Sequence, residues 1–285
     1  MPRRALAATL LIEAALGFGC PPQSPEVVVV AVDVVGARSD GPSLQADALE
    51  SAVREALAGV QGLSLRPARP DEVPHQVRIE VGVASAQPAA GGGVRRTVGL
   101  GLDLFSLSDR EGFSVTGLAH VEGGDDDGWR QPRDEALATA VDRLGQRLAL
   151  EHARPARVIE ALSASDEFVR RAAIAVAARR ELNGAVEALS ALIRAEDTPE
   201  PVILEAVGAL AAIGDPAGAP AVIDAARGRP PAYLPQLIHA LTRIGGPQAR
   251  GYLFTLRQGH PSAAVRAEAK DALRALEASE EEGAP

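Results

Sequence analysis

The sequence predicts an α/β fold followed by an all-α one: a small two-layer α/β domain over residues 26–153, then a four-repeat stack of helix pairs over residues 155–277. Three observations carry this expectation. Apolar residues recur at every second position in several segments before residue 125, the period of a half-buried strand, and that pattern stops after residue 155. From there a unit of 31–33 residues repeats. The 285-residue chain is 46% hydrophobic but only 3% aromatic, with Ala and Leu prominent, a composition that suits closely packed helices and is enough for two cores.

Val27 to Val32 is a β-branched run, apolar on both faces, and reads as a strand in the middle of a covered sheet. Asp40, Gly41 and Pro42 break the chain, and Ser43 is placed to cap a helix. That helix carries Leu49, Ala52, Val53, Ala56, Leu57 and Val60 at three- and four-residue spacing. Leu63 to Arg66 is a short strand. Val77, Ile79, Val81 and Val83 alternate with polar residues, as do Val98, Leu100, Leu102 and Leu104, and Phe113 to Val121 makes a further strand. Gly91 to Gly93 and Asp109 to Gly112 separate these last three, which predicts a meander. A helix from Pro132 to about His152, with Leu137, Ala140, Val141, Leu144 and Leu148 on one stripe, closes the order β-α-β-β-β-β-α.

In the second half, Val169, Val202, Leu234 and Val265 head four helices and stand 33, 32 and 31 residues apart. Four and seven positions on lie Ala173 and Val176, Ala206 and Ala209, Ile238 and Leu241, Ala269 and Ala272, one buried stripe per repeat. Shorter second helices are expected at Ala185 to Ile193, Ala217 to Ala226 and Gln248 to Leu256, with Arg157 to Leu162 opening the array. Pro235 falls in a first turn, where its missing N–H costs little. This spacing and the phrases around Asp166 to Ala173 and Ala209 to Val222 resemble bacterial HEAT-like repeats over about 120 residues. Families of that type include scaffolds, bilin lyases, a di-iron hydroxylase with His-Glu pairs and DNA glycosylases with a basic concave surface. Here His152, His239 and His260 are never followed by Glu.

The first 19 residues read as a secretion signal, with Arg3 and Arg4 before an apolar run from Ala5 to Phe18. Cys20 is the only cysteine, so an internal disulfide and a thiolate metal cluster are excluded. The arrangement resembles a bacterial lipoprotein signal, which implies a lipidated Cys20 as the first mature residue and residues 20–25 as a Pro-rich tether. It departs from the usual pattern in having Leu16 one place early and Phe18 beside Gly19. Acyl chains contribute ~0.8 kcal/mol per buried CH₂, so two or three give stable attachment. Leader, tether and element order together resemble in layout the TolB N-terminal and penicillin-binding-protein activator type of envelope lipoprotein.

The net charge of −9 is unevenly placed: residues 20–153 hold 12 arginines against 20 carboxylates, whereas residues 155–277 are balanced at 14 each. No segment has the basic excess that a phosphate backbone requires, so a nucleic-acid partner is not expected. The segment Gly112 to Gly117 is one residue too long for a nucleophile elbow, no phosphate-binding glycine pattern is present, and Asp125 to Asp127 lacks the spacing of a calcium loop. His75 and His120 have no ligand partners within sequence reach. No catalytic residue, cofactor or metal is therefore expected. The function read from these features is that of a cell-envelope lipoprotein on the periplasmic side, attached to the membrane through its lipid and acting as a scaffold for a protein partner. Arg170, Ile203, Val207, His239, Arg243, Arg266 and Lys270, one or more positions after each repeat's anchor, are expected to form an outward ridge, apolar in its middle and basic toward the C-terminus. The alternatives are that Ile203 and Val207 pack on the α/β domain, that an active site forms between the two halves, or that the protein is purely structural. Ser279 to Pro285, within the final segment 278–285, reads as a disordered acidic tail.

Overall fold

The structure is a computed structural model that describes residues 26–37, 41–89, 93–123, 128–227 and 230–282. The signal, Cys20, the tether and Asp125 to Asp127 lie outside the described residues. Along the chain run β1 (Val27–Val35), α1 (Ala46–Leu57), β2 (Leu63–Leu65), β3 (Pro74–Ala89), β4 (Gly93–Ser106), β5 (Gly112–Glu122) and α2 (Arg130–His152). Eight further helices follow: α3 (Pro155–Ala161), α4 (Glu167–Arg179), α5 (Val186–Arg194), α6 (Glu200–Ile213), α7 (Ala219–Ala226), α8 (Leu234–Ile244), α9 (Gly246–Gly259) and α10 (Ala263–Glu282).

The five strands form one sheet in the order β2-β1-β3-β4-β5, with β1 parallel to both its neighbours and β3, β4 and β5 an antiparallel meander. Alternation becomes cross-strand packing. Ile79 pairs with Leu102 and Leu102 with Val115, while Val81 pairs with Leu100 and Leu100 with Gly117. These side chains line the face on which α1 and α2 lie, against Leu49, Val53 and Leu57 from α1 and Ala140, Leu144 and Leu148 from α2. Gly117 is required there, because a Cβ on it would sit 1.9 Å from the Ala136 carbonyl oxygen of α2.

Val27 to Val32 lie inside the sheet between β2 and β3 with none of them exposed, as the apolar run requires; exposure begins beyond it, at Asp33 and Val35. Two expectations about this part need correction. A register shift between Val81 and Val83 turns Val83 outward to 45% exposure, so the alternation breaks at a bulge. Ser43 does not cap α1; it lies in a short 3-10 turn, buried, while Gln45 occupies the cap position without a side-chain bond.

The helices after α2 make a second core in two rows. α4, α6, α8 and α10 touch in succession, as do α5, α7 and α9, and α5 meets α6, α7 meets α8 and α9 meets α10 between the rows. The stripe residues Ala173, Ala206, Ile238 and Ala269 are all buried. Pro235 is in the first turn of α8, as its sequence position requires. α9, at 14 residues, is longer than α8 at 11, contrary to the expected short second helix. α10 runs to Glu282 where a disordered tail was expected: Leu276 is buried and the Ser279 hydroxyl donates to the Ala275 and Leu276 carbonyls, which carries the helix past residue 278. Residues 283–285 lie outside the described residues.

Two glycines separate close approach from open space. Gly117→Ala drives a methyl into the α2 backbone and should cost about 3 kcal/mol. Gly208, inside α6 with nothing near its would-be Cβ, should gain about 1 kcal/mol on replacement by Ala. Chemical denaturation of both variants checks the opposite signs.

Candidate functional site

Arginines on α2 tie the two cores together. The helix is 23 residues long, about 34 Å, and borders the sheet on one flank and α4 on another. Arg133 donates to the Ser43 carbonyl at 3.1 Å, Arg143 to the Thr116 carbonyl of β5 at 2.6 Å, and Arg147 to the Ala172 carbonyl of α4 at 2.9 Å. Arg143, Arg147 and Glu151 stand four apart and so share one stripe. Arg143 lies over the Phe168 ring at 5.2 Å and Arg147 over the Phe113 ring at 5.3 Å. Glu151 is only 9% exposed; it accepts from Arg147 at 2.9 Å and is paired with Arg179 of α4. Arg180 reaches back to the Ala153 carbonyl at 2.6 Å, beyond the end of α2. Burial pushes Arg147 below the ordinary guanidinium value, and burial followed by the nearby Arg147 does the same to Arg179. Both start so high that they remain cations.

Two depressions flank this junction. The first, about 380 Å³, has Leu104, Phe113 and Leu148 in its wall and His75, Asp109, Glu111, His152 and Arg179 around them. It brings together titratable groups from both halves of the chain, which an active site between them would require. The hydrogen bonds, however, close a turn. Ser106 and His75 are register partners across β4 and β3, and the Ser106 hydroxyl meets Asp109 and accepts from the Ser108 N–H at 3.1 Å. Asp109 accepts from the Glu111 N–H at 2.9 Å, and His75 Nδ1 donates to the Val73 carbonyl at 3.0 Å. The Glu111 N–H, then the Ser106 hydroxyl, hold the Asp109 carboxyl below its ordinary value of 3.8. The second depression, about 650 Å³, runs along Phe113 to Thr116 of β5 and is walled by α4 at Phe168 and Ala175. Among the described residues no group of three His, Cys, Asp or Glu is placed to hold a metal ion, and no helix is long and apolar enough to cross a membrane.

The expected ridge is not one surface. Ile203 and Val207 are 8% and 0% exposed and belong to the core of the later helices, neither facing outward nor packing on the sheet. α6 touches α4, α5 and α8, so its apolar stripe is wider than a helix with one buried face needs. Arg170 is half-buried on α4, its Nε without an acceptor. Arg243 is exposed yet donates to the Ala211 carbonyl at 3.2 Å, and Arg266 donates to the His260 carbonyl at 2.7 Å. His239 and Lys270 remain exposed on the adjoining α8 and α10. Cys20 lies outside the described residues. Only the apolar stripe of α2 was read from the sequence; its charged stripe was missed, the one signal for which is the four-residue spacing of Arg143, Arg147 and Glu151.

No family model and no curated protein matches the chain. Among solved structures it is similar to a Xanthomonas campestris protein described by the family model DUF330, at 19% identity over 44% of this chain and 83% of that one, with a TM-score of 0.30. It is also similar to a PelC dodecamer from Paraburkholderia phytofirmans, at 15% identity over 42% and 88%, with a TM-score of 0.30. A hypothetical protein from Chlamydia trachomatis matches at 11% identity over 44% and 94%, with a TM-score of 0.29. At these scores neither family membership nor activity follows.

Replacing Arg147 by Leu leaves the buried Glu151 with Arg179 alone and should lower stability by about 3 kcal/mol in urea unfolding. For Asp109 the lowered pKa means that its contribution is complete above the ordinary value and is lost as pH falls through the lowered one. Asp109→Asn should therefore melt lower than wild type at neutral pH, and the difference should shrink below about pH 4.

Proposed function

We propose that the chain is a lipid-anchored protein of the bacterial envelope that works through protein contacts, with α3 to α10 as four HEAT-like repeats beside an α/β domain. The observation that supports the repeat part of this reading is a set of bridges between helices one repeat apart; the anchor rests on Cys20 following the apolar run Ala5 to Phe18 in the sequence. Arg171 pairs with Glu205 from α4 to α6, Arg194 with Asp224 at 3.0 Å from α5 to α7, and Arg243 reaches Ala211 from α8 to α6. These partners are 34, 30 and 32 residues apart, close to the spacing of the sequence repeat. A stack in which each unit leans on the next leaves long polar surfaces for a partner. The exposed His239 and Lys270 stand on two such neighbouring helices.

The anchor is tested by the intact mass of protein from the membrane fraction of a bacterial host. Residues 20–285 plus acyl chains are expected, and Cys20→Ser should abolish that form; an unmodified soluble chain in both cases refutes the anchor. The scaffold is tested by comparing wild type with the double variant His239→Glu, Lys270→Glu, neither of which takes part in the bridges. Loss of an envelope protein captured by wild type is expected, and unchanged capture overturns the assignment of this surface.

A further inference from the structure

β5 is the last strand in the sheet order, so one of its edges has no strand beside it among the described residues. The Arg143 bond shows which groups face that edge. Arg143 meets the Thr116 carbonyl from outside the sheet, and along an antiparallel strand the N–H and C=O of one residue point the same way and alternate from residue to residue. Ser114, Thr116, Leu118 and His120 therefore turn both groups outward, while Val115, Gly117 and Ala119 bond to β4.

Such an edge is a template for another chain, and sheets ordinarily protect one with charged side chains, Pro, a bulge or a covering helix; here Arg143 occupies one lone pair of the Thr116 carbonyl and α4 stands across a groove from the strand. Gly112–Glu122 contains no Lys and no Pro, and its register with β4 is unbroken from Phe105 opposite Gly112 to Arg95 opposite Glu122. Alongside lies the 650 Å³ groove, whose near side is four consecutive residues of β5 and whose far wall is α4. A single extended segment needs only about 4.8 Å of width beside its neighbour.

The groove also indicates the chemistry of that segment. Arg147 is matched by Glu151, and Arg171 by Glu205 and Glu167. Arg143 has only the Thr116 carbonyl and the Phe168 ring, with no carboxylate partner among the described residues, and so offers a cation to an arriving acid. On the opposite face, Leu118 at 55% and Val83 at 45% exposure are large apolar side chains left in the open. They close in from both sides on Gly99 of β4, at 3.3 and 3.4 Å from the position its Cβ would take. A strand added to β5 extends this row with every second residue and places the others toward Arg143. We propose that the β5 edge takes up, as a sixth strand, an extended segment of a partner protein in which apolar and acidic residues alternate. This site does not depend on the reading of the later helices.

The probe is a fluorescein-labelled heptapeptide alternating valine and glutamate, followed by fluorescence polarisation with the whole chain. Binding is expected. It should weaken at least about tenfold for a valine/lysine peptide and for a valine/glutamate peptide N-methylated at alternate amides, the latter independent of any change in the protein. Thr116→Pro and Leu118→Pro each remove an outward N–H that takes no part in the ladder, so the sheet persists while the edge is blocked, and both should lose the peptide. The proposal is overturned by no binding to wild type, by equal binding of the lysine peptide, or by undiminished binding to either proline variant with unaltered circular dichroism. Concentration-dependent dimerisation of wild type that Thr116→Pro abolishes would also overturn it, giving the edge to a second copy.

Discussion

A single arginine withdrawn from water sets the relation between the two halves of this protein. Desolvating a guanidinium costs several kcal/mol unless hydrogen bonds and an opposite charge replace the lost water. Arg147 obtains these from three elements at once: the Glu151 carboxylate on its own helix, the Ala172 carbonyl on α4, and the face of Phe113 on β5. Only one placement of α4 against α2 and the sheet provides all three. Phe168 adds apolar contact to the same junction, since it packs against both cores.

Arginine has this connecting role elsewhere in the chain, which holds a single lysine among 29 basic residues. A planar fork can satisfy a carbonyl while its stem covers apolar surface, a combination that a compact ammonium matches poorly. Arg243 reaches one of the last carbonyls of α6 and Arg180 the carbonyl just after α2, so two helix ends gain partners for groups that the helix itself leaves unpaired. Setting α4 through Arg147 thus sets α6 through Arg171 and Glu205, and α8 follows through Arg243. Position is handed along the chain by contacts between neighbours.

The element order and the buried stripes were legible because each reports a period. The alternation of Val77, Ile79 and Val81 and the recurrence of Ala173, Ala206, Ile238 and Ala269 need no knowledge of what lies opposite. What was illegible depended on partners distant in sequence. The bulge after Val81 is a disagreement between β3 and β4 over register, and neither strand shows it alone. Ile203 and Val207 were misplaced because a helix with neighbours on three sides buries residues that a one-sided stripe would expose. The α2 charged stripe went unread, since nothing local indicates that Ala172 and Phe113 come to lie over it. The open edge of β5 likewise depends on strand order, which the meander left undecided at its far side.

If α2 joins the two cores, its C-terminal half and α4 should open together. Native-state hydrogen exchange at increasing denaturant measures this directly. The account predicts that amides of Arg143 to His152 and of α4 converge on one opening free energy, shared with β4 and β5. Exchange of α4 through a separate opening of much lower free energy, with α2 and the sheet still protected, would contradict it.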